Sequence, residues 1–90
     1  MKSYKFIISG KVQGVYYRAN VKKNAFNRGY KGYVMNLSDG TVEATVTCEE
    51  SRLEEFIEIL NKGSKNSSVT TIEQIECVEI FNENFEVRKK

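Results

Sequence analysis

Hydrophobic and polar positions along this chain switch between a two-residue and a three-to-four-residue period. Tyr4-Lys5-Phe6-Ile7-Ile8-Ser9 is rich in β-branched and aromatic residues and closes on Gly10, which predicts a first strand. Over residues 19–28 the apolar positions Val21, Ala25 and Phe26 recur at helical spacing, and Gly29 offers a stop. That stripe is thin. Residues 30–37 and 41–48 read as two strands joined through Ser38-Asp39-Gly40, because Asp-Gly is a strong hairpin cue. In the second of these, Val42, Ala44, Val46 and Cys48 share one face and Thr41, Glu43, Thr45 and Thr47 the other. A clearer helix follows: Ser51 with Glu54 fits a capping box, and Leu53, Phe56, Ile57 and Leu60 fall at i, i+3, i+4 and i+7. Gly63 ends it, and residues 62–68 read as a loop. A β-rich stretch over residues 70–80 and a short coda at 85–88 complete the pattern.

The order is β-α-β-β-α-β, with room for a short fifth strand. It predicts an α+β fold, the ferredoxin-like split βαβ sandwich, with two helices on one face of a four- to five-stranded, mainly antiparallel sheet. Ninety residues hold one core, so a single domain over 1–90 is expected. So widely shared a fold says little about function.

Composition narrows the chemistry. A hydrophobic fraction of 40% and a charged fraction of 29% fit a soluble globular chain. No segment approaches the roughly 20 apolar residues of a membrane span. The N-terminus lacks the apolar run and cleavage site of a secretory signal, so cytoplasmic residence without membrane association is expected. There is no histidine, which removes the usual general base near neutral pH and the commonest metal ligand. Cys48 and Cys77 have no C-x-x-C spacing, and reduced, buried thiols are expected rather than a disulfide.

The net charge of +2 hides a division. Residues 1–45 carry eight Lys/Arg against two Asp/Glu, a balance of +6, whereas residues 46–90 carry six against ten, a balance of −4. Such asymmetry points to an anionic partner for the basic half, although solvated faces of unlike sign are an equal reading at this stage.

That half contains the unusual segment Gly10-Lys11-Val12-Gln13-Gly14-Val15-Tyr16-Tyr17-Arg18, between the first strand and the first helix. Glycines permit positive φ and close approach of a ligand. Successive N–H groups in such a turn converge into an anion nest, and the helix N-terminus adds unpaired donors and positive partial charge. Arg18 can clamp a phosphate bidentately, which lysine does less well. On spacing alone an ordinary βα turn with a surface arginine is the readier reading. There is no G-x-G-x-x-G, and Gly10 to Gly14 lacks the G-K-[ST] ending of a Walker A loop. Carboxylates near the loop are few, so a protein-built Mg²⁺ cage is not expected. Asn36, at the strand end before Ser38-Asp39-Gly40, carries an amide that can donate to and accept from one water. Taken alone, a turn-capping asparagine is the readier reading there too.

Together these residues resemble the acylphosphatase family. Its first signature is approximately G-x-V-Q-G-V-x-F-R, matched from Gly10 to Arg18 except that Tyr17 replaces the usual Phe. The second, approximately G-[aromatic]-V-x-N-x-x-x-G-x-V, is matched throughout from Gly32 to Val42, while a trailing family glycine is replaced by Cys48. Tyr16 stands where the family leaves the residue open, and Tyr17 adds a hydroxyl that needs a partner if buried. Cys48 is expected to alter the approach to the second helix more than catalysis.

The resemblance implies hydrolysis of the carboxyl–phosphate bond of small acyl phosphates, without cofactor or metal. Gly14, Val15, Tyr16, Tyr17 and Arg18 would hold the phosphoryl oxygens, Arg18 by its side chain and the others through the loop backbone. Arg18 and Asn36 would be the catalytic pair, Asn36 positioning the attacking water. The partners implied are a small acyl phosphate and inorganic phosphate, with no nucleic acid and a monomeric enzyme. Varied acyl groups would be accepted. Such a substrate suits a chain without histidine, because its leaving group is a stable carboxylate that needs no general acid, and phosphoryl transfer depends mainly on positioning and charge stabilisation.

Two other classes share features with this chain. RRM domains have the same element order, and Lys31-Gly32-Tyr33 resembles the start of their RNP1 motif. The match breaks at Val34, Met35 and Asn36, and it falls on the second strand rather than the third. The other is a catalytically silent acylphosphatase-like interaction domain, against which the retention of Arg18, Asn36 and the full loop argues. A regulatory module of a larger maturation enzyme is disfavoured by reading 90 residues as a complete chain.

Overall fold

The computed structural model describes residues 1–89. Its elements are β1 (Lys2–Lys11), α1 (Tyr17–Asn27), β2 (Lys31–Asn36), β3 (Val42–Cys48), a 3₁₀ turn (Glu50–Arg52), α2 (Leu53–Lys62), β4 (Ser68–Cys77) and β5 (Glu86–Arg88). They form one five-stranded sheet in the order β4-β1-β3-β2-β5. The first three pairings are antiparallel, and β5 joins β2 in parallel through Tyr33–Glu86, Val34–Val87 and Met35–Arg88. The expected ferredoxin-like α+β sandwich is present, with the coda realised as a fifth edge strand. Among the described residues, no helix is long and apolar enough to cross a membrane.

Both helices lie on one face. Phe6 and Ile8 of β1, Val34 of β2 and Val42, Ala44 and Val46 of β3 are buried against Tyr17, Val21 and Ala25 of α1 and Phe56, Ile59 and Leu60 of α2. Phe56 is the centre of an aromatic cluster, 5.8 Å from Phe6, 5.2 Å from Tyr30 and 5.8 Å from Phe85 between ring centroids. β1 has a register shift at Ser9/Gly10, where a side chain would drive a Cβ into the Ser68 carbonyl and within 2.8 Å of the Thr70 amide. Gly10 is thus demanded by β4 rather than by a ligand.

Several local expectations are corrected. The first helix begins at Tyr17, two residues earlier than its apolar period suggests, and Phe26 is 45% exposed with the Lys22 ammonium 4.8 Å above its ring. Its C-terminus closes as a Schellman motif, Gly29 N–H to Phe26 O and Tyr30 N–H to Ala25 O. The capping box does not form: Ser51 lies inside the 3₁₀ turn, and α2 starts at Leu53 without a side-chain cap. Ile59, off the predicted stripe, is buried, while Ile57 is half-buried. The last long strand ends at Cys77 instead of residue 80.

The polar face of β3 is not solvated either, since Thr45 and Thr47 are buried. The chain after β4 folds over them, and the Phe81 amide donates to Thr47 Oγ1 at 2.9 Å. Thr47 Oγ1 also lies 2.6 Å from Ser3 Oγ, while Phe81 packs edge-on to Tyr33 at 5.4 Å. Cys48 and Cys77 are free thiols on strands either side of β1, Cys48 buried and Cys77 half-buried.

Candidate active site

The connection from β1 to α1 makes two left-handed turns. Gly14 has φ 74°, and Tyr16, the residue before the helix, has φ 62° and ψ 22°. No side chain caps α1, and its first turn contains no acidic residue. Its first backbone bond runs from Asn20 N–H to Tyr16 O at 3.1 Å. The amides of Tyr17, Arg18 and Ala19 therefore precede the helical ladder, at the positive end of the helix dipole.

A cleft of about 430 Å³ opens on these amides. Gly14, Tyr16, Tyr17, Arg18 and Ala19 line it, with Val12 and Val87 completing the wall. Arg18 is half-buried and, among the described residues, forms no ion pair. Four of the five residues expected to hold phosphate thus meet in one place. Val15 does not line the cleft; it is half-buried against the core, and its carbonyl accepts a hydrogen bond from Ser64 Oγ at 2.5 Å. Tyr17 turns its side chain inward, and its hydroxyl donates to the Leu60 carbonyl at 2.7 Å. The added hydroxyl of this position therefore has a protein partner, and burial pushes its pKa well above the ordinary tyrosine range.

Asn36 ends β2 opposite Val42 and does not line the cleft. Its Oδ1 is buried and, among the described residues, accepts no hydrogen bond. Thr45 Oγ1 on β3 is buried without a hydrogen bond among the described residues as well, and a buried acceptor left unpaired costs about 1–3 kcal/mol.

Gln13 ties the two regions together. Its Nε2 donates at 2.8 Å to both the Leu37 and the Thr41 carbonyl, anchoring the loop to the β2–β3 hairpin. The hairpin is itself fixed, with Leu37 N–H bonded to Thr41 O at 2.9 Å and Asp39 Oδ1 accepting from the Thr41 amide at 3.0 Å and its hydroxyl at 2.6 Å. Sequence reasoning assigned no role to Gln13, Ser64 or Val87. Gln13 was visible only as one position of the first motif, and the other two carried no local signal.

A profile of the acylphosphatase family matches residues 4–87. The chain belongs to the acylphosphatase family. An acylphosphatase of Methanocella arvoryzae is 40% identical over 88 residues, covering 98% of this chain and all of that one. The crystal structure of acylphosphatase from Bacillus subtilis superposes with a TM-score of 0.89 at 35% identity, over 98% of this chain and 99% of its own. The solved structure of an acylphosphatase from Coxiella burnetii gives a TM-score of 0.86 at 33% identity, over 97% of this chain and 92% of its own. Likeness to these acylphosphatases thus extends along nearly the whole chain, including both the loop and the hairpin.

Proposed function

We propose that this acylphosphatase hydrolyses small acyl phosphates to a carboxylate and inorganic phosphate, without a metal, as a cytoplasmic monomer. The observation that carries the reading is the half-buried Arg18 side chain beside the uncapped first turn of α1, both on one cleft. The guanidinium can offer two charge-assisted donors to phosphoryl oxygens, and the amides of Tyr17 and Arg18 are held ready by the start of α1. Their low cost of reorganisation favours the transition state, where charge spreads over those oxygens.

Asn36 orients the nucleophile. An amide with an unsatisfied oxygen at the end of β2 suits a water, to which it can both donate and accept. Water oxygen attacks phosphorus, the bond from phosphorus to the acyl oxygen breaks, and the carboxylate leaves with the electron pair. The proton lost by the water stays on the inorganic phosphate or passes to solvent. No protein acid is needed, which accords with a chain lacking histidine.

Steady-state hydrolysis of benzoyl phosphate, with inorganic phosphate as competitor, tests the division of labour. Asn36→Ala is expected to lower kcat while inhibition by phosphate stays nearly intact, because water orientation is not ground-state binding. Equal loss of phosphate binding would make Asn36 structural. Size-exclusion chromatography is expected to give a monomer.

A further inference from the structure

Among the described residues, Tyr16 is the one non-glycine with positive φ, at 62°, and its side chain is 80% exposed. A large aromatic at this strained backbone position buries little surface in return, so the fold gains little from its ring. Tyr16 is among the residues that line the same cleft as Arg18. Val87 of β5, 37% exposed, and the buried Val12 line it too. At about 430 Å³ the cleft has far more room than a phosphoryl group needs. With the phosphoryl end held by Arg18 and the first-turn amides, the remaining walls meeting a substrate are aromatic and aliphatic.

We infer that Tyr16 determines acyl specificity, packing its ring against the hydrocarbon part of the acyl group, so that aromatic acyl phosphates are favoured over acetyl phosphate. The inference rests on the phosphoryl assignment of Arg18. The electron-rich ring face disfavours a carboxylate and suits an apolar or aromatic group beyond it. Val87 supplies a second apolar contact from the edge strand β5. Such contact acts alike on bound substrate and transition state, so it is read in KM more than in kcat.

The test compares kcat/KM for benzoyl phosphate and acetyl phosphate in the wild type and in Tyr16→Gly and Tyr16→Phe. Glycine accepts the left-handed backbone without strain, so the first variant keeps its fold. Taking the ratio of the two substrates cancels any shift common to them, and comparing that ratio between variant and wild type cancels their intrinsic reactivities. The benzoyl-to-acetyl ratio is expected to fall about 2- to 10-fold in Tyr16→Gly, through a higher KM for benzoyl phosphate, and to be kept in Tyr16→Phe. An unchanged ratio in Tyr16→Gly overturns the inference and leaves the phosphoryl assignment standing. A wild-type enzyme that inorganic phosphate fails to inhibit overturns the phosphoryl assignment, and the inference with it.

Discussion

The Tyr17 hydroxyl donates to the Leu60 carbonyl at 2.7 Å, joining the start of α1 to the last turn of α2. The Leu60 carbonyl lies at the helix end, where the partner four residues on, the Ser64 amide, is bonded instead to Ser67 Oγ at 2.9 Å. The tyrosine therefore satisfies a backbone group that the ladder leaves open. Tyr17→Phe restores the usual family residue but orphans that carbonyl. It is expected to lower stability by about 1–2 kcal/mol in urea unfolding while leaving turnover close to wild type. A variant as stable as the wild type would mean that water replaces the hydroxyl at no cost.

Gly63 is the other half of this contact. A Cβ there would lie 2.6 Å from the Tyr17 ring and 2.5 Å from Ser67 Oγ, at a φ of 49°. The Tyr17 ring is buried and hydrogen-bonded, so Gly63→Ala is expected to cost about 2–4 kcal/mol from backbone strain and overpacking. Displacement of Tyr17 is also expected to lower kcat, measured on protein confirmed folded by circular dichroism. An unaffected melting temperature would contradict the packing described.

Gln13 is expected to matter for rate more than for phosphate binding. Removing its two donated bonds in Gln13→Ala leaves the Leu37 and Thr41 carbonyls with only their backbone donors, Gly40 N–H and Leu37 N–H, and unties the hairpin from the Gln13 side chain. Loss of about 10-fold in kcat, with a smaller change in inhibition by inorganic phosphate, is the expected signature of misplaced Asn36. If both fall in parallel, Gln13 holds the phosphate loop alone.

Stability is expected to fall with alkaline pH. Burial raises the pKa of Tyr17, and burial together with the hydrogen bond to Glu55 raises that of Tyr30, both from the ordinary value of 10.0. Below pH 10 the stabilisation is fully present, because both phenols are protonated in folded and unfolded chains alike. Above pH 10 the unfolded chain releases protons that the folded chain keeps, so stability declines until pH passes the folded values. Urea midpoints between pH 8 and 11.5 are expected to show this slope, shallower in Tyr17→Phe. An equal slope in that variant would show that Tyr17 ionises in the folded protein as readily as in the unfolded one.

The β2–β3 hairpin was legible in sequence because its information is local: alternating residues on β3 and Asp-Gly at the turn. Burial of Thr45 and Thr47 was not, since it depends on Phe81 returning over the sheet from 34 residues beyond Thr47. Ser51 and Glu54 had capping-box spacing, but the chain leaves β3 through a 3₁₀ turn that places Ser51 within it. At the site, Arg18 and the glycine spacing read on their own as an ordinary βα turn with a surface arginine, and only the family motif made the segment an anion loop. The partners that hold the loop in place are backbone carbonyls, such as those of Leu37, Thr41 and Leu60, which have no sequence signature. Asn36 looked like a turn residue in isolation, and only the second motif gave it a different meaning.

Hydrolysis of benzoyl phosphate by Arg18→Ala in the presence of EDTA tests the central claim most directly. Wild-type turnover is expected to persist with the chelator, while Arg18→Ala loses about 10²–10³-fold in kcat, or about 2.7–4 kcal/mol, and binds inorganic phosphate more weakly. Arg18→Lys is expected to recover little of this, because an ammonium cannot reproduce the bidentate fork. Wild-type-like turnover in Arg18→Ala would contradict the account.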